Sequence, residues 1–343
     1  MKIIIDAMGG DLAPQAPVRG GLQAAKEFGV EVLFTGNEAA IRHVMKQDGY
    51  DELPAGVEIV NCTEVVDNCD DPSIVWRKKP DSSMTVGLKL LKASRGNAFI
   101  SAGSTGALLS GATLLVRRIR GVKRAAVAPS LPTGRGRAVL IDAGANSECT
   151  VEQLVQFAVM GAHYAELVLG IKNPKVGLLN IGSEDTKGSQ FAQECFALLK
   201  EQVPNFKGNA EGTSLLTDEF DVVVTDGFTG NVCLKTFEGT AQFLGNQLKQ
   251  ALASAAGSDR SEAAAGASKL VMGGLVQLKK TLDPDAMGGA PILGLKGTVL
   301  IGHGASNARA IKNGVLATAR CVELGVTEVT EWAVTLQRAA EER

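Results

Sequence analysis

The chain has 343 residues, a formal net charge of −2, 40 glycines and only 4% aromatic residues. That length carries one large α/β unit, or two lobes around one cleft, with a sizeable core. The near-neutral charge points away from nucleic acid as a partner, and the scarcity of aromatics favours backbone-lined loops over stacking platforms.

Six cysteines (62, 69, 149, 195, 233 and 321) form no C-x-x-C pair, and with three scattered histidines they make no metal-ligand spacing. They read as reduced, mostly buried thiols of a cytoplasmic protein, and no metal is expected. The opening Met1-Lys2-Ile3-Ile4-Ile5-Asp6 is too short an apolar run for a secretory leader. The most apolar stretch, 107–116, is about half the length of a membrane span. A soluble protein is expected, with peripheral membrane contact as the alternative.

Ile3-Ile4-Ile5 reads as the first strand and 6–11, with Asp6, Gly9 and Gly10, as its loop; Pro14 and Pro17 suit the start of a helix running to Phe28. A strand over 30–35, a helix over 39–46 and a strand over 57–62 follow, and then a polar, irregular stretch over 64–85. This alternation predicts an α/β fold with a mostly parallel sheet covered by helices on both faces. At 98–109 a second strand, loop and helix set brings Ser101, Gly103, Ser104, Thr105 and Gly106. Its helix is expected to end in Arg117, Arg118, Arg120, Lys123 and Arg124, which form either a solvated face or a docking patch.

The same device recurs at 139–146 (Asp142, Asn146), at 176–188 (Asn180, Glu184, Lys187) and at 221–240. In the last of these a β-branched strand is broken by Asp226-Gly227-Phe228-Thr229-Gly230-Asn231, with a helix expected from Val232. A sixth copy at 299–306 contains His303. Glycine in one such loop is ordinary turn chemistry. Six along the carboxyl edge of a parallel sheet point to one extended anion site, seated on backbone N–H groups and helix N-termini.

Residues 246–290 differ in kind, with Ala, Ser and Gly dominant before an apolar face at 270–278. They predict a projecting helical hairpin over about 246–285, against the alternative of an amphipathic pair packed on the core or on a second subunit. The recurrence of DAMGG, at 6–10 and 285–289, reads as coincidence because Pro284 and not a strand precedes the second copy.

No G-x-S-x-G elbow, Walker A motif or G-x-G-x-x-G follows any predicted strand. One reaction needs none of them. If phosphate is the nucleophile, the protein has only to hold it and to stabilise an oxyanion at the attacked carbonyl. A thioester donor suits this, since a thiol of pKa ~8.5 leaves readily as thiolate. Lys187 would supply charge and Asn231 an amide donor; the alternative for Lys187 is a surface pair with Glu184 or Asp185.

At this point DAMGGD (6–11), RKKPDSSM (77–84), SAG-x-TGAL (101–108), D-x-GAN (142–146), LLN-x-G-x-ED-x-KG (178–188), DVVVTDGFTGNV (221–232), GGAPILGLKG (288–297) and HG (303–304) together resemble the PlsX family of phosphate acyltransferases. The resemblance runs nearly end to end. It implies a fold similar to the isopropylmalate-dehydrogenase and phosphotransacetylase group, a homodimer, no cofactor, and Lys187 with Asn231 as the functional pair. It also implies transfer of a fatty acyl group from acyl-acyl carrier protein (acyl-ACP) to inorganic phosphate in phospholipid synthesis, and peripheral membrane contact through the hairpin. The carrier protein is acidic, so 117–124 and 77–79 are its candidate docking charges. Leu12, Ser104, Met287 and Ala305-Ser306-Asn307 depart from the family pattern. Rival readings are an acetyl-coenzyme A phosphotransacetylase, a nicotinamide-dependent dehydrogenase and an inactive membrane-recruited scaffold.

Overall fold

The computed structural model describes residues 1–258 and 284–341. The first half runs β1 (Lys2–Asp6), α1 (Gln15–Phe28), β2 (Glu31–Gly36), α2 (Glu38–Gln47), β3 (Val57–Asn61), α3 (Val75–Lys78), α4 (Ser83–Lys92), β4 (Ala98–Ser101) and α5 (Thr105–Gly111). After a π-helical turn (Ala112–Val116) come β5 (Ala126–Val127), β6 (Ser130–Pro132), β7 (Arg137–Ile141), α6 (Val151–Val168), β8 (Val176–Leu179), α7 (Gln190–Gln202) and β9 (Phe206–Ala210). The chain continues through β10 (Val222–Val224), α8 (Gly227–Ser258), β11 (Ala290–Leu293), β12 (Thr298–Ile301), α9 (Ala308–Glu323) and α10 (Val326–Glu341).

Two sheets form where the strand pattern alone predicts one. The larger has the order β3-β2-β1-β4-β12-β11-β5 and the smaller β6-β7-β10-β8-β9. Pairing is parallel except around β11 and between β6 and β7. The apolar runs are continuous because both faces of each sheet are covered. Ile3, Ile5, Val32 and Phe34 pack under α1, α2 and α9, while Ile4, Leu33 and Phe99 face α4 and α5. In the smaller sheet Val139, Ile141, Val222 and Val224 pack on α6 and α7; Leu140 and Val223 meet Leu234 and Phe237 of α8.

The sheets join where the chain passes from β5 in one to β6 in the other. There the Ala143 N–H donates to Val127 O at 3.0 Å, and the Val127 N–H donates to Asp142 Oδ1 at 3.0 Å. The six glycine loops therefore divide: those after β1, β4 and β12 stand on the larger sheet, those after β7, β8 and β10 on the smaller.

Other expectations change locally. The helix after β4 stops at Arg117, whose φ of +76° ends it, so the charges over 117–124 lie in a loop and not on a helix end. The stretch 64–85 contains the turn α3 and the start of α4, whose N-cap Ser82 accepts the Thr85 N–H at 3.3 Å. The first arm of the expected hairpin is the continuation of α8, one helix from Gly227 to Ser258. Residues 259–283, on which the rest of the hairpin and its membrane contact were expected, lie outside the described residues. The second DAMGG begins in a 3-10 turn (Pro284–Ala286) and leads into β11. All six cysteines are free; Cys62, Cys195 and Cys321 are buried and Cys69 is exposed. Among the described residues no helix is long and apolar enough to cross a membrane.

Candidate active site

In the larger sheet β1 has β2 on one side and β4 on the other, the topology that opens a crevice at the strands' carboxyl ends. Asp6 closes β1 and is buried. Its carboxylate accepts the Met8 N–H at 3.1 Å and the Ser101 hydroxyl at 2.7 Å; Ser101 Oγ in turn accepts the Gly103 N–H at 3.1 Å. Burial pushes the Asp6 carboxyl up, against hydrogen bonds from Ser83, Ser101, Met8 and Gly9 that hold it down. A Cβ on Gly9 would come within 2.7 Å of Asp6 Oδ2 and 2.8 Å of Ser101 Oγ, so only glycine lets the loop close. Gly10, at φ +101°, needs the left-handed region as well. The Asp11 N–H donates to Gly304 O at 2.8 Å, which brings in the third loop. There the Ala305 N–H donates to His303 Nδ1 at 3.2 Å.

The smaller sheet repeats the arrangement. Asp142 follows β7, is fully buried, and accepts from Val127 N, Ala145 N, Asn146 N and Asn146 Nδ2 at 2.7–3.1 Å. Burial again raises its carboxyl, opposed by those donors. The start of α8 lies directly on this loop. The Gly227 N–H donates to Asn146 O at 2.7 Å, and a methyl group at Gly230 would overlap the Asp142 carbonyl oxygen. Asp226 caps the helix, accepting from Thr229 N at 2.8 Å and Thr229 Oγ1 at 2.7 Å. Helix α8 thus begins at Gly227 and not at Val232, and Gly230 and Asn231 belong to its first turn. Asn231 lies over the neighbouring loop, with Oδ1 3.6 Å from where a Cβ on Gly144 would sit.

Beside β10 stands β8, with Val224 opposite Leu178, and its loop carries Lys187. Asn180 organises that loop: its amide donates to Lys187 O at 3.1 Å and Asn209 Oδ1 at 3.0 Å, and its oxygen accepts the Ile181 N–H at 2.8 Å. Lys187 Nζ stands 3.7 Å from Glu184 Oε1 with both side chains about half exposed or more. Such a pair contributes only ~0–1 kcal/mol, so the ammonium is not locked. Asp185 pairs with Lys200 at 3.2 Å instead.

The two loop triplets are held together at Ala145, which packs on the cluster containing Met84, Ala107, Leu108 and Ile301 beneath the larger sheet's loops. Asp6, Asp142 and Asp226, expected at the anion site, have their carboxylates taken up by protein donors, and Glu184 faces Lys187. Likewise Asn180 and Ser101 have their polar atoms engaged within the site. The N-terminus of α8 is also largely closed as an anion seat, since Gly227, Thr229 and Gly230 N–H groups already have acceptors. Helix α5 differs: its N-cap Ser104 makes no side-chain cap. The N–H groups of Thr105 and Gly106 and the hydroxyls of Ser104 and Thr105 have no partner among the described residues.

Ser83 and Asn209 escaped the sequence reading. Ser83 lies in the RKKPDSSM stretch, where the charges drew attention, and it supports Asp6. Asn209, mid-strand in β9, donates to Glu184 O at 2.8 Å, and its sequence context carries no signal. Of the candidate docking charges, Lys79 is bound internally by Asp70 at 2.6 Å and Asp67 at 3.1 Å. Arg118 is held by the carbonyls of Val122 and Lys123, and Lys123 stands 3.5 Å from Glu152. Arg117, Arg120 and Arg124 are exposed with no ion pair among the described residues. The run ends beside the site, for Asn146 Nδ2 donates to Ala125 O at 2.8 Å.

The family model described as fatty acid synthesis protein matches residues 1–329. A protein from Alkaliphilus oremlandii named phosphate acyltransferase is 45% identical over 315 residues, 92% of each chain. Another of that name from Acetivibrio thermocellus is 42% identical over 324 residues, 94% of this chain and 93% of its own. Among solved structures, a phosphotransacetylase from Streptococcus pyogenes has a TM-score of 0.62 at 18% identity, covering 94% of both chains. The EutD phosphotransacetylase from Staphylococcus aureus gives 0.60 at 16% identity over the same shares. At these identities the structural likeness concerns the fold alone.

The contact of Gly230 with Asp142 sets a measurable expectation. Gly230→Ala should lower the free energy of unfolding by more than about 2 kcal/mol in urea titrations, because backbone must move. Gly239→Ala on the same helix, with nothing within 4 Å, should be neutral or stabilising by up to about 1 kcal/mol. Equal effects of the two would remove the packing argument.

Proposed function

The chain belongs to the fatty acid synthesis protein family, an enzyme family of phosphate acyltransferases, and on that premise we propose that it moves a fatty acyl group from acyl-ACP to inorganic phosphate, yielding acyl phosphate for phospholipid synthesis. The observation that carries this reading is the loosely held Lys187 ammonium, on a loop beside the one that positions Asn231. Asn231 lies over the Gly144 loop, and the N–H groups at the start of α5 are further donors that this reading assigns to the phosphate. Phosphate seated there attacks the thioester carbonyl. A C–O bond forms, the carbonyl oxygen takes negative charge near Lys187 and Asn231, and the C–S bond then breaks with its electron pair leaving on sulfur. The thiolate needs little acid assistance at a thiol pKa of ~8.5.

A covalent acyl-enzyme on cysteine is disfavoured. Cys149, whose Sγ is 3.7 Å from Asn146 O, is pushed up to about 11 by burial and stays a thiol at neutral pH. Ile181 on the Lys187 loop and Phe228 in the first turn of α8, 84% and 67% exposed, offer apolar contact for an acyl chain. Arg117, Arg120 and Arg124, exposed in the segment that ends at Ala125 beside Asn146, suit an acidic carrier. Helix α8 leaves Val232, Phe243, Leu244 and Leu248 exposed, an apolar stripe that a second copy of the chain would cover.

Incubation with palmitoyl-ACP and phosphate, trapped with hydroxylamine, should give the acyl hydroxamate. Lys187→Ala should reduce turnover on the order of 10²–10³-fold, the usual loss of one oxyanion donor. Turnover with acetyl-coenzyme A alone, or wild-type turnover in the variant, would refute the assignment. Reversing Arg117, Arg120 and Arg124 to Glu should raise KM for acyl-ACP while leaving kcat nearly unchanged; an unaltered KM would place docking elsewhere. Sedimentation equilibrium should return a dimer that Phe243→Glu with Leu244→Glu converts to monomer, and a monomeric wild type would dismiss the α8 contact.

A further inference from the structure

Far from the loops, at the amino edge of the smaller sheet, lies a cavity of about 740 Å³ between β7, α6 and α9. Arg137 opens β7 and Asp142 follows its other end, so the cavity is roughly 16 Å from the candidate active site at ~3.3 Å per strand residue. Val168, Leu169, Ile171, Met287 and Leu316 make its walls largely apolar. Among the polar groups in its lining, Arg137, Tyr164 and Arg320 stand out. Arg137 donates through Nε to Ser130 Oγ at 3.0 Å and through Nη2 to Ser130 O at 2.7 Å, leaving Nη1 without a partner among the described residues. Tyr164 is 3% exposed, and its hydroxyl has no hydrogen-bond partner among them. Arg320, in the last turn of α9, has no ion pair among them.

The cavity also has acidic residues, but they are engaged elsewhere. Asp218 accepts from Thr133 Oγ1 and Arg135 N, each at 2.9 Å, and pairs with Arg135 Nε at 3.6 Å. Asp221 accepts the Lys175 N–H at 2.7 Å. Among the described residues Arg137 has no ion pair, and Tyr164 lies within electrostatic reach of Arg137, Arg320 and Cys321. A half-buried guanidinium without a counter-charge, beside a buried hydroxyl without an acceptor, is costly on its own. An anion between them offsets both costs, and the apolar walls supply the rest of the ligand's character.

We propose that this cavity binds an anionic single-chain amphiphile, its carboxylate or phosphate head held by Arg137, Tyr164 and Arg320 and its chain against the apolar wall. The site is separate from the acyl-transfer centre. Titration calorimetry on the full chain with dodecanoate and with monododecyl phosphate tests it, using dodecanol and inorganic phosphate as comparisons. At least one anionic amphiphile should bind tenfold or more tighter than dodecanol and than inorganic phosphate. Tyr164→Phe and Arg320→Gln should each weaken it at least fivefold, and Lys187→Ala should leave it unchanged. Dodecanol binding as tightly would overturn the anion recognition, and inorganic phosphate binding as tightly would reduce the site to a free-anion site. Loss of binding in Lys187→Ala would place the probe in the active centre instead. Unchanged affinity in Arg320→Gln, an exposed position whose fold melting curves will verify, would dismiss the proposal even if Tyr164→Phe failed to fold.

Discussion

The carboxylate of Asp142 is the junction on which the rest of the molecule converges. It takes donors from β5 at Val127, from its own loop at Ala145 and from both nitrogens of Asn146, and its neighbouring backbone is the floor on which α8 begins. Burying a carboxylate costs free energy, as its upward shift records. The same desolvation makes each charge-assisted bond to it stronger than a neutral one. Removing it would strand several amides at about 1–3 kcal/mol each. Two sheets, a loop and a long helix are therefore registered by one side chain.

Asp6 does the equivalent work in the larger sheet, gathering Met8 and Ser101 and, through Ser101, Gly103. The consequence for chemistry is a division of labour. Acids and small side chains shape the loops and use up many of their N–H groups. Among the described residues the N–H groups at the start of α5, the hydroxyls of Ser104 and Thr105 and the Asn231 amide keep no protein partner, and the Lys187 ammonium is only loosely paired. A rigid frame with few free donors suits a reaction in which the nucleophile arrives as substrate, since positioning and oxyanion stabilisation are then the whole task.

Helix α8 links this frame to the outside. Its first turn is pinned on Asp142, its next residues Cys233, Leu234 and Phe237 pack on the smaller sheet, and beyond them Phe243 and Leu244 are exposed.

Read alone, the sequence determined the local pieces: β-branched runs with both faces apolar give buried strands, glycines after them give close-packed loops, and the order of the pieces gives a parallel α/β fold. It also determined which loops carry Lys187, Asn231 and the two aspartates. Only tertiary structure decided that the strands separate into two sheets, because β10 inserts between β7 and β8 and β12 joins β4 about 200 residues away in sequence, and strand partners are long-range contacts that periodicity does not encode. The same holds for the start of α8 at Gly227, where a cap and a close approach override glycine's poor helix propensity. It holds too for the aspartates, whose carboxylates meet N–H groups that only the fold brings to them. Arg137, Tyr164 and Arg320 lie on three different elements, and nothing local marks them as neighbours; the fold alone puts two cations and a hydroxyl around one cavity.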